Sequence, residues 1–276
     1  MVIKKPIFLI NSFILCISLI FFTIFTTGCE KKGTHAIFVV DLTNWGQSAK
    51  LVSSPIADVY QSDVIIKWDT ISHVFPFKEL ELELNLRFQA YLDLDTLKDY
   101  TVELTSDVGY CEGTVTLPEG TSIIEPANND TLSPEEIVTV TWSTAGGAGW
   151  YRVAYYLSTY DSTNSVLYWD SKTEYLTDTS LTIPAELFDI PDAVYYWVEV
   201  TVCPCSGTMP ISGEIGNMSG SINGFLVARN ISFDPQIEFY VGEPIVGQSQ
   251  SIYTEKSPKE NDIINDYFDA LDIEIK

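Results

Sequence analysis

Three cysteines in the body of the chain, Cys111, Cys203 and Cys205, are the residues best suited by type to redox or metal chemistry. Structural zinc sites use four ligands at spacings such as Cys-x₂-Cys, and the Cys203-Pro204-Cys205 segment has neither a second pair nor a nearby histidine. Redox-active pairs have two intervening residues rather than one. We therefore expect structural cysteines. One disulfide plus one thiol is the simplest arrangement, and a bridge from Cys111 to Cys203 or Cys205 is one of the pairings open to them.

The sequence contains few residues suited to acid–base or nucleophilic catalysis. His35 and His73 are the only histidines, and neither lies in a motif that would set it beside a nucleophile. The 38 acidic residues guarantee carboxylate pairs by composition alone, so such pairs say nothing about glycoside hydrolysis. The acids in residues 93–95 and 189–192 lack the spacing of a calcium loop. We expect a non-enzyme with no catalytic residue, no metal site and no cofactor, and keep a carboxylate-dependent hydrolase as an alternative.

The charge of the chain excludes one class of partner. Its 276 residues include 15 Lys and Arg against 38 Asp and Glu, a net charge of −23. Nucleic-acid binding is driven by basic side chains that displace counterions from phosphates, so no nucleic-acid partner is expected. A hydrophobic content of 46% is enough to build packed cores over one large or two small domains.

The first 30 residues have the pattern of an export signal. Lys4 and Lys5 precede an apolar run over residues 7–27, and Gly28-Cys29-Glu30 follows. This pattern resembles the signal peptide of bacterial lipoproteins. The resemblance implies that residues 1–28 are removed, that Cys29 carries the lipid (diacylglycerol and an acyl chain such as palmitate), and that Glu30 directs the protein to the outer membrane. An uncleaved transmembrane anchor is the alternative, because the apolar run is long enough to span a bilayer. Both interpretations predict an extracytoplasmic body.

The remainder of the chain is dominated by strand patterns. Apolar and polar residues alternate strictly over residues 80–94, and other short alternating segments are separated by Pro-, Gly- and Asn-rich turns. Because no helical crossovers connect these segments, they predict antiparallel β-sandwiches, with a boundary near residues 118–124.

The second set of strands resembles a fibronectin type III or related immunoglobulin-like module. Residues 138–142 look like its B strand with a core Trp142, residues 151–155 like its C strand, and residues 196–202 like its F strand after a tyrosine corner at Tyr196. The first set repeats the corner pattern at Tyr100, and residues 55–59 resemble a transthyretin-like opening.

The fold class that these resemblances imply is all-β, with two tandem Ig-like/FnIII-like antiparallel sandwiches and a short C-terminal helix. The helix is expected after Ser257-Pro258, with Ile264, Tyr267, Phe268 and Leu271 as an apolar stripe that docks on the body or on a partner. The predicted segments are a signal peptide at 1–28, an anchor linker at 29–36, an Ig-like or transthyretin-like sandwich at 37–118, a FnIII-like sandwich at 124–230 and an extension at 231–276.

Aromatic residues are the most informative binding candidates. On the C and F strands the alternation directs Trp150, Tyr156 and Trp197 to an outer sheet face, together with Trp169. Such a platform can stack sugars or bury a protein partner. The alternative is that domain one or the C-terminal helix covers it. The sequence therefore predicts a lipid-anchored, non-catalytic binding or scaffolding protein with a protein or glycan partner. A glycan-binding module of a polysaccharide system is the more specific alternative.

Overall fold

The computed structural model describes residues 35–44, 46–54, 62–76, 86–106, 108–231, 236–244 and 263–271. The signal peptide, Cys29 and Glu30 lie outside these residues, as do Ser257 and Pro258. The strands are β1 (His35–Thr43), β2 (Gln47–Ser54), β3 (Asp63–Trp68), β4 (Ile71–Pro76), β5 (Leu86–Ala90), β6 (Asp99–Ser106), β7 (Gly109–Thr116), β8 (Ile123–Glu125), β9 (Thr131–Leu132), β10 (Thr139–Trp142), β11 (Trp150–Tyr160), β12 (Val166–Leu176), β13 (Ser180–Thr182), β14 (Tyr195–Gly207), β15 (Ser219–Gly220), β16 (Asn223–Arg229) and β17 (Gln236–Val241). Within the described residues, a 3₁₀ turn spans Ala185–Phe188 and an α-helix, α1, spans Ile263–Ala270.

A nine-stranded sheet forms the frame of the molecule. Its strand order is β12-β11-β14-β16-β1-β2-β5, with β17 paired to β14 and β9 paired to β17. The 13-residue β14 connects the two halves, because it pairs with β11 along most of its length, with β17 through Tyr196–Thr201, and with β16 through Cys205–Gly207. At the last pair Gly207 has a φ of 86°, and a Cβ there would lie 2.1 Å from the Leu226 carbonyl oxygen. Glycine is therefore needed for β14 and β16 to approach each other.

Two smaller sheets pack side by side on one face of this frame, which we call the inner face. The first hydrophobic core lies between the nine-stranded sheet and the sheet β15-β7-β6-β3-β4. The second lies between the nine-stranded sheet and the sheet β13-β10-β8. Alternate residues of each strand supply both cores, as the period-two patterns predict. The first core includes Phe38, Val40, Leu42, Val64, Ile66, Tyr100, Val102, Leu104, Leu226 and Ala228. The second includes Val140, Trp142, Tyr151, Val153, Tyr155, Val198, Val200 and Phe239.

The all-β sandwich class and the short C-terminal helix are confirmed. The two sandwiches share the nine-stranded sheet: β16, which the sequence pattern assigned to the second sandwich, pairs in parallel with β1 and contributes Leu226 and Ala228 to the first core. Alternation marks a strand but not its partner, so this sharing was not apparent from the sequence. The domain limits at residues 118 and 124 stay a prediction.

Both tyrosine corners match hydrogen bonds in the structure. The Tyr196 hydroxyl accepts a bond from the Ile190 backbone N–H at 3.1 Å, and the Tyr100 hydroxyl donates to the Asp95 carbonyl at 2.9 Å. In each case the buried ring is tied to backbone a few residues upstream, which is the role such tyrosines have in immunoglobulin-like sandwiches.

The helix α1 docks on the opposite, outer face of the nine-stranded sheet. Four of its residues are buried against Trp150 of β11 and against residues of β1, β14 and β16: Ile263, Ile264, Tyr267 and Phe268. These residues recur at helical spacing, so one side of α1 is apolar and covers the sheet. The predicted stripe is thus confirmed, with docking on the body. None of the described helices has the length and apolarity needed to cross a membrane.

Candidate functional site

The candidate site lies on the outer face of β12, β11, β14 and β17, beyond the end covered by α1. The strand register sets Trp169, Ser158, Trp197 and Tyr240 side by side in one row across the four strands. The next row contains Ser171, Tyr156, Glu199 and Glu238. Alternation explains this composition, because Val198 and Val200 point into the second core and leave their neighbours on the outer face.

Six aromatic residues of this face form what we call the aromatic cluster: Tyr156, Tyr160, Trp169, Tyr195, Trp197 and Tyr240. The Tyr156 ring stacks on Trp169 (centroids 6.2 Å apart, planes 20° apart) and meets Trp197 edge-on at 5.7 Å. Tyr160 stacks on Tyr195 at 4.8 Å. Trp169 is 51% exposed whereas Trp197 is 9% exposed, so Trp169 presents its ring to solvent while Tyr156 stacks on it.

Two carboxylates border the aromatic cluster. Glu199 and Glu238 are directly opposite each other on β14 and β17, and Glu238 Oε2 accepts a hydrogen bond from Trp197 Nε1 at 3.3 Å. Burial raises the pKa of Glu199, and the negative charge of Glu238 raises it further, against a hydrogen bond from Gln236 that lowers it. Burial raises the pKa of Tyr195 to about 12. The face therefore combines flat apolar rings with hydrogen-bond acceptors at its edge.

Trp150 does not join the cluster that the sequence predicted for it. It pairs with Cys205 at the far end of β11, where α1 covers it, and only 3% of its surface is exposed. Its Nε1 donates to the Gly207 carbonyl at 3.1 Å, and its ring meets Tyr175 edge-on at 5.9 Å. Of the four predicted platform residues, Tyr156, Trp169 and Trp197 thus come together. Trp150 belongs instead to the layer beneath the helix, as the alternative of a covering helix predicted.

The platform predicted from the sequence left out Tyr160, Tyr195 and Tyr240 and both carboxylates, although the alternation on the F strand directs Tyr195 and Glu199 outward together with Trp197. Tyr160 lies four residues after Tyr156, has the same parity and could have been found by extending the predicted C strand to the end of β11. Tyr240 and Glu238 lie on β17, whose pairing with β14 joins residues distant in sequence. No local pattern marks that pairing.

The three cysteines are buried thiols in the structure, and the predicted disulfide stays a prediction. Cys111 belongs to the first core, on the inner side of the nine-stranded sheet, whereas Cys203 and Cys205 lie on the outer side under α1. The sheet separates Cys111 from the other two. Cys203 Sγ donates to the Asn230 carbonyl at 3.6 Å and Cys205 Sγ donates to the Cys203 carbonyl at 3.4 Å. Burial raises the pKa of Cys111 to about 12.

Within the described residues, no group of three or more His, Cys, Asp or Glu is arranged to hold a metal ion. The His73 ring stacks on Trp68 at 5.2 Å and on Phe75 at 6.0 Å, so it packs among aromatic rings. Asp95, one of the acids considered for calcium, is paired with Lys98 at 2.8 Å.

Comparison with known proteins does not identify a family for this chain. No protein-family model matches the sequence, and no curated protein is significantly similar to it. Among solved structures, similarity is found to Escherichia coli alpha-2-macroglobulin activated by porcine elastase (8% identity, TM-score 0.27, 76% of this chain and 20% of that one). The chain thus spans about a fifth of that protein's length. CBD12 from CALX1.2 (10%, TM-score 0.24, 76% and 100%) and the fibronectin(III)-like modules of Clostridium thermocellum CbhA (12%, TM-score 0.21, 80% and 98%) are similar at the same level. With TM-scores below 0.5, these likenesses carry no argument about function.

Proposed function

We propose that this protein is a non-catalytic, extracytoplasmic binding protein that holds a glycan on its aromatic cluster. The observation that carries the proposal is the half-exposed Trp169, whose ring stacks on Tyr156. Tyr156 in turn meets Trp197 edge-on, and the Trp197 indole N–H donates to the Glu238 carboxylate. A flat indole fixed by its neighbours is well suited to stacking against the apolar C–H face of a pyranose, because little side-chain freedom remains to be lost on binding.

The carboxylates define the class of glycan. Glu238 and Glu199 accept hydrogen bonds from sugar hydroxyl groups at the edge of the stacking surface. Their negative charge, in a chain of net charge −23, repels uronic and sialic acids and favours neutral or amine-bearing sugars. The Trp197 N–H already orients Glu238, so its second oxygen remains available to a ligand.

Binding is tested with a glycan array and titration calorimetry on the full chain purified in detergent. We expect wild-type protein to bind one or more neutral glycans and Trp169→Ala to lose at least tenfold in affinity. Tyr110→Ala is the matched control, since Tyr110 is an exposed aromatic residue on β7, in another sheet, and its removal leaves binding unchanged. Wild-type protein that retains no glycan, or Trp169→Ala that binds like wild type, contradicts the proposal and favours a scaffolding role.

The lipid anchor is part of the same proposal. Cleavage before Cys29 removes Lys4 and Lys5 and no acid, which leaves a body of net charge −25. Anionic lipid headgroups repel such a body, so we expect it to stand away from the membrane on its lipidated terminus. Mass spectrometry of the N-terminal peptide, with Cys29→Ala as the control, tests this. A wild-type protein that retains residues 1–28 and carries no acyl chain favours the transmembrane alternative.

One observation favours a second function. Glu199 and Glu238 lie opposite each other on neighbouring strands, and burial raises the pKa of Glu199, as a glycoside hydrolase requires of its general acid. Incubation of any bound glycan with wild-type protein and with Glu238→Gln, followed by assay of reducing ends, separates the two functions. A binding protein releases none.

A further inference from the structure

The strand β12 is a long edge of the nine-stranded sheet. Over the described residues it pairs with β11 and with no other strand, and it runs for eleven residues from Val166 to Leu176. Val166, Leu167, Tyr168 and Trp169 at its start are all exposed. An edge of this length with exposed apolar residues is a template for another strand, because its outward backbone groups have no strand partner among the described residues. The Ser171 N–H donates to Asp170 Oδ1 of its own chain at 2.8 Å, a bond that a partner strand would replace.

The charges on β12 restrict which strand can pair with it. Asp170, Lys172 and Glu174 alternate along one face of the strand, and Lys172 forms an ion pair with Glu174 of its own chain. Charged residues on an edge strand normally prevent pairing with an arbitrary partner, since most strands would leave these charges unmatched. A partner that presents opposite charges to Asp170 and Lys172 is therefore favoured.

We propose that a second copy of this chain is that partner, joined antiparallel through β12 about a two-fold axis at Ser171. Ser171 is the midpoint of the strand, so this register pairs all eleven residues. It sets Asp170 of each copy opposite Lys172 of the other, twice across the axis. Opposite charges directly across an antiparallel pair are favourable, and like charges are unfavourable.

The neighbouring registers either set like charges opposite each other or pair fewer residues. An axis at Asp170 sets that carboxylate against its own copy, and an axis at Lys172 sets two ammonium groups together. An axis at Thr173 matches Lys172 with Glu174, but it pairs only the seven residues from 170 to 176. The Ser171 register combines matched charge with full length, and only there does Asp170 face Lys172.

The dimer joins the two nine-stranded sheets edge to edge. Because the axis is perpendicular to the sheet, both outer faces point to the same side, and Trp169 of one copy lies opposite Thr173 of the other. Two copies of the aromatic cluster then share one surface.

Charge exchange tests the proposal through molecular mass, measured by sedimentation equilibrium of the full chain in detergent. Wild type is expected to be a dimer. Asp170→Lys sets lysines opposite each other and Lys172→Asp sets aspartates opposite each other, so each variant alone is expected to be a monomer. An equimolar mixture of the two restores both matched pairs and is expected to form a dimer again. Near-UV circular dichroism identical to that of wild type establishes that the monomeric variants are folded.

A wild-type monomer at about 100 μM overturns the proposal, since dimer affinities that matter at a surface lie at or below this range. A dimer that persists in Asp170→Lys also overturns it, because that result assigns dimerisation to another surface or to the Thr173 register. A mixture that stays monomeric overturns the charge pairing itself.

Crosslinking gives an independent measurement of the register. At the axis the two Ser171 Cα atoms are within the range that a disulfide spans, so Ser171→Cys is expected to form a covalent dimer on mild oxidation. Ser165→Cys is the matched control, because Ser165 is exposed near the start of the same strand and its copies lie at opposite ends of the pair. Equal crosslinking of the two variants, or none in Ser171→Cys, contradicts the register.

Discussion

Arg152 of β11 and Asp266 of α1 form an ion pair, with Arg152 Nε 3.2 Å from Asp266 Oδ2. Both side chains are mostly buried, and Tyr175 of β12 lies opposite Arg152 in the strand register, so the sheet and the C-terminal helix meet at a polar contact inside an otherwise apolar layer. Arg152 Nη2 has no hydrogen-bond partner, so Asp266 is the main compensation for a buried positive charge.

Removal of the Asp266 charge is expected to weaken the packing of α1 on the sheet before it unfolds the rest of the protein. In Asp266→Asn the charge of Arg152 loses its counterion, and separation of α1 from the sheet lets water reach the guanidinium. We expect amide exchange in residues 263–270 to become at least tenfold faster, as measured by hydrogen–deuterium exchange. Asp269→Asn, an exposed carboxylate on the same helix, is the control. Equal protection in the two variants would show that apolar contacts alone hold α1.

A second buried ion pair is expected to govern global stability. Asp41 of β1 accepts three hydrogen bonds of 2.7–3.1 Å from Arg229 of β16, and both residues are almost fully buried. Asp41→Asn leaves the guanidinium without its counterion, so we expect a loss of about 3–5 kcal/mol in the free energy of unfolding. Urea denaturation measures this loss. The exposed pair Lys98–Asp69 is the comparison, and Asp69→Asn should leave the urea midpoint nearly unchanged.

The pKa of Glu199 predicts a stability that falls as pH rises. Because burial and Glu238 raise the pKa in the folded protein above that of the unfolded chain, the folded state binds more protons between the two values. Stability contributed by protonated Glu199 is therefore present below the unfolded pKa and is lost as pH rises through the folded pKa. We expect Glu199→Gln to raise Tm by about 2 °C at pH 7. At pH 3.5 its Tm should equal that of wild type. A gain independent of pH would point to packing rather than charge.

The buried thiols are expected to be inert in the folded protein. Only a thiolate reacts with alkylating reagents, and burial raises the pKa of Cys111 to about 12. At pH 8 we expect iodoacetamide to leave Cys111, Cys203 and Cys205 unmodified over hours and to label all three within minutes in 6 M guanidinium. Peptide mass spectrometry without a reductant provides both readings. A bridged peptide pair in the native sample would restore the disulfide that the geometry argues against.

Local patterns predicted most strands of the second sandwich as well as β3 and β6, because the burial of a strand residue depends on its parity, which the sequence displays directly. They did not predict β1, β2 or β4. Local patterns also predicted the stripe of α1 and the tyrosine corners at Tyr100 and Tyr196, whose hydrogen bonds reach only five or six residues upstream. These features arise within one or two elements, so a reading of adjacent residues captures them.

The pairing of strands distant in sequence could not be predicted, because no pattern of adjacent residues marks it. β1 lies beside β16, and β14 beside β17, through hydrogen bonds between backbone groups that are identical in every residue. The same limit on predicting strand partners applies to the residues of the candidate site. Tyr156, Trp169 and Trp197 were predicted from parity on neighbouring strands, whereas Glu238 and Tyr240 came from a strand with no predicted partner. Trp150 was misplaced because parity gives the face of a sheet but not what lies on it.

The parallel pairing of β1 with β16 has a mechanical consequence. Seven consecutive residues of β1, Ile37 to Thr43, are in register with Asn223 to Arg229, and β1 is the first described strand of the chain. Tension applied through the N-terminus runs along the axis of β1, so it loads this whole ladder in shear, with every hydrogen bond sharing the force, rather than peeling the bonds apart one at a time. A body tethered at that end and held by a ligand at the other would resist flow at its first strand, where the Asp41–Arg229 ion pair also ties β1 to its neighbour.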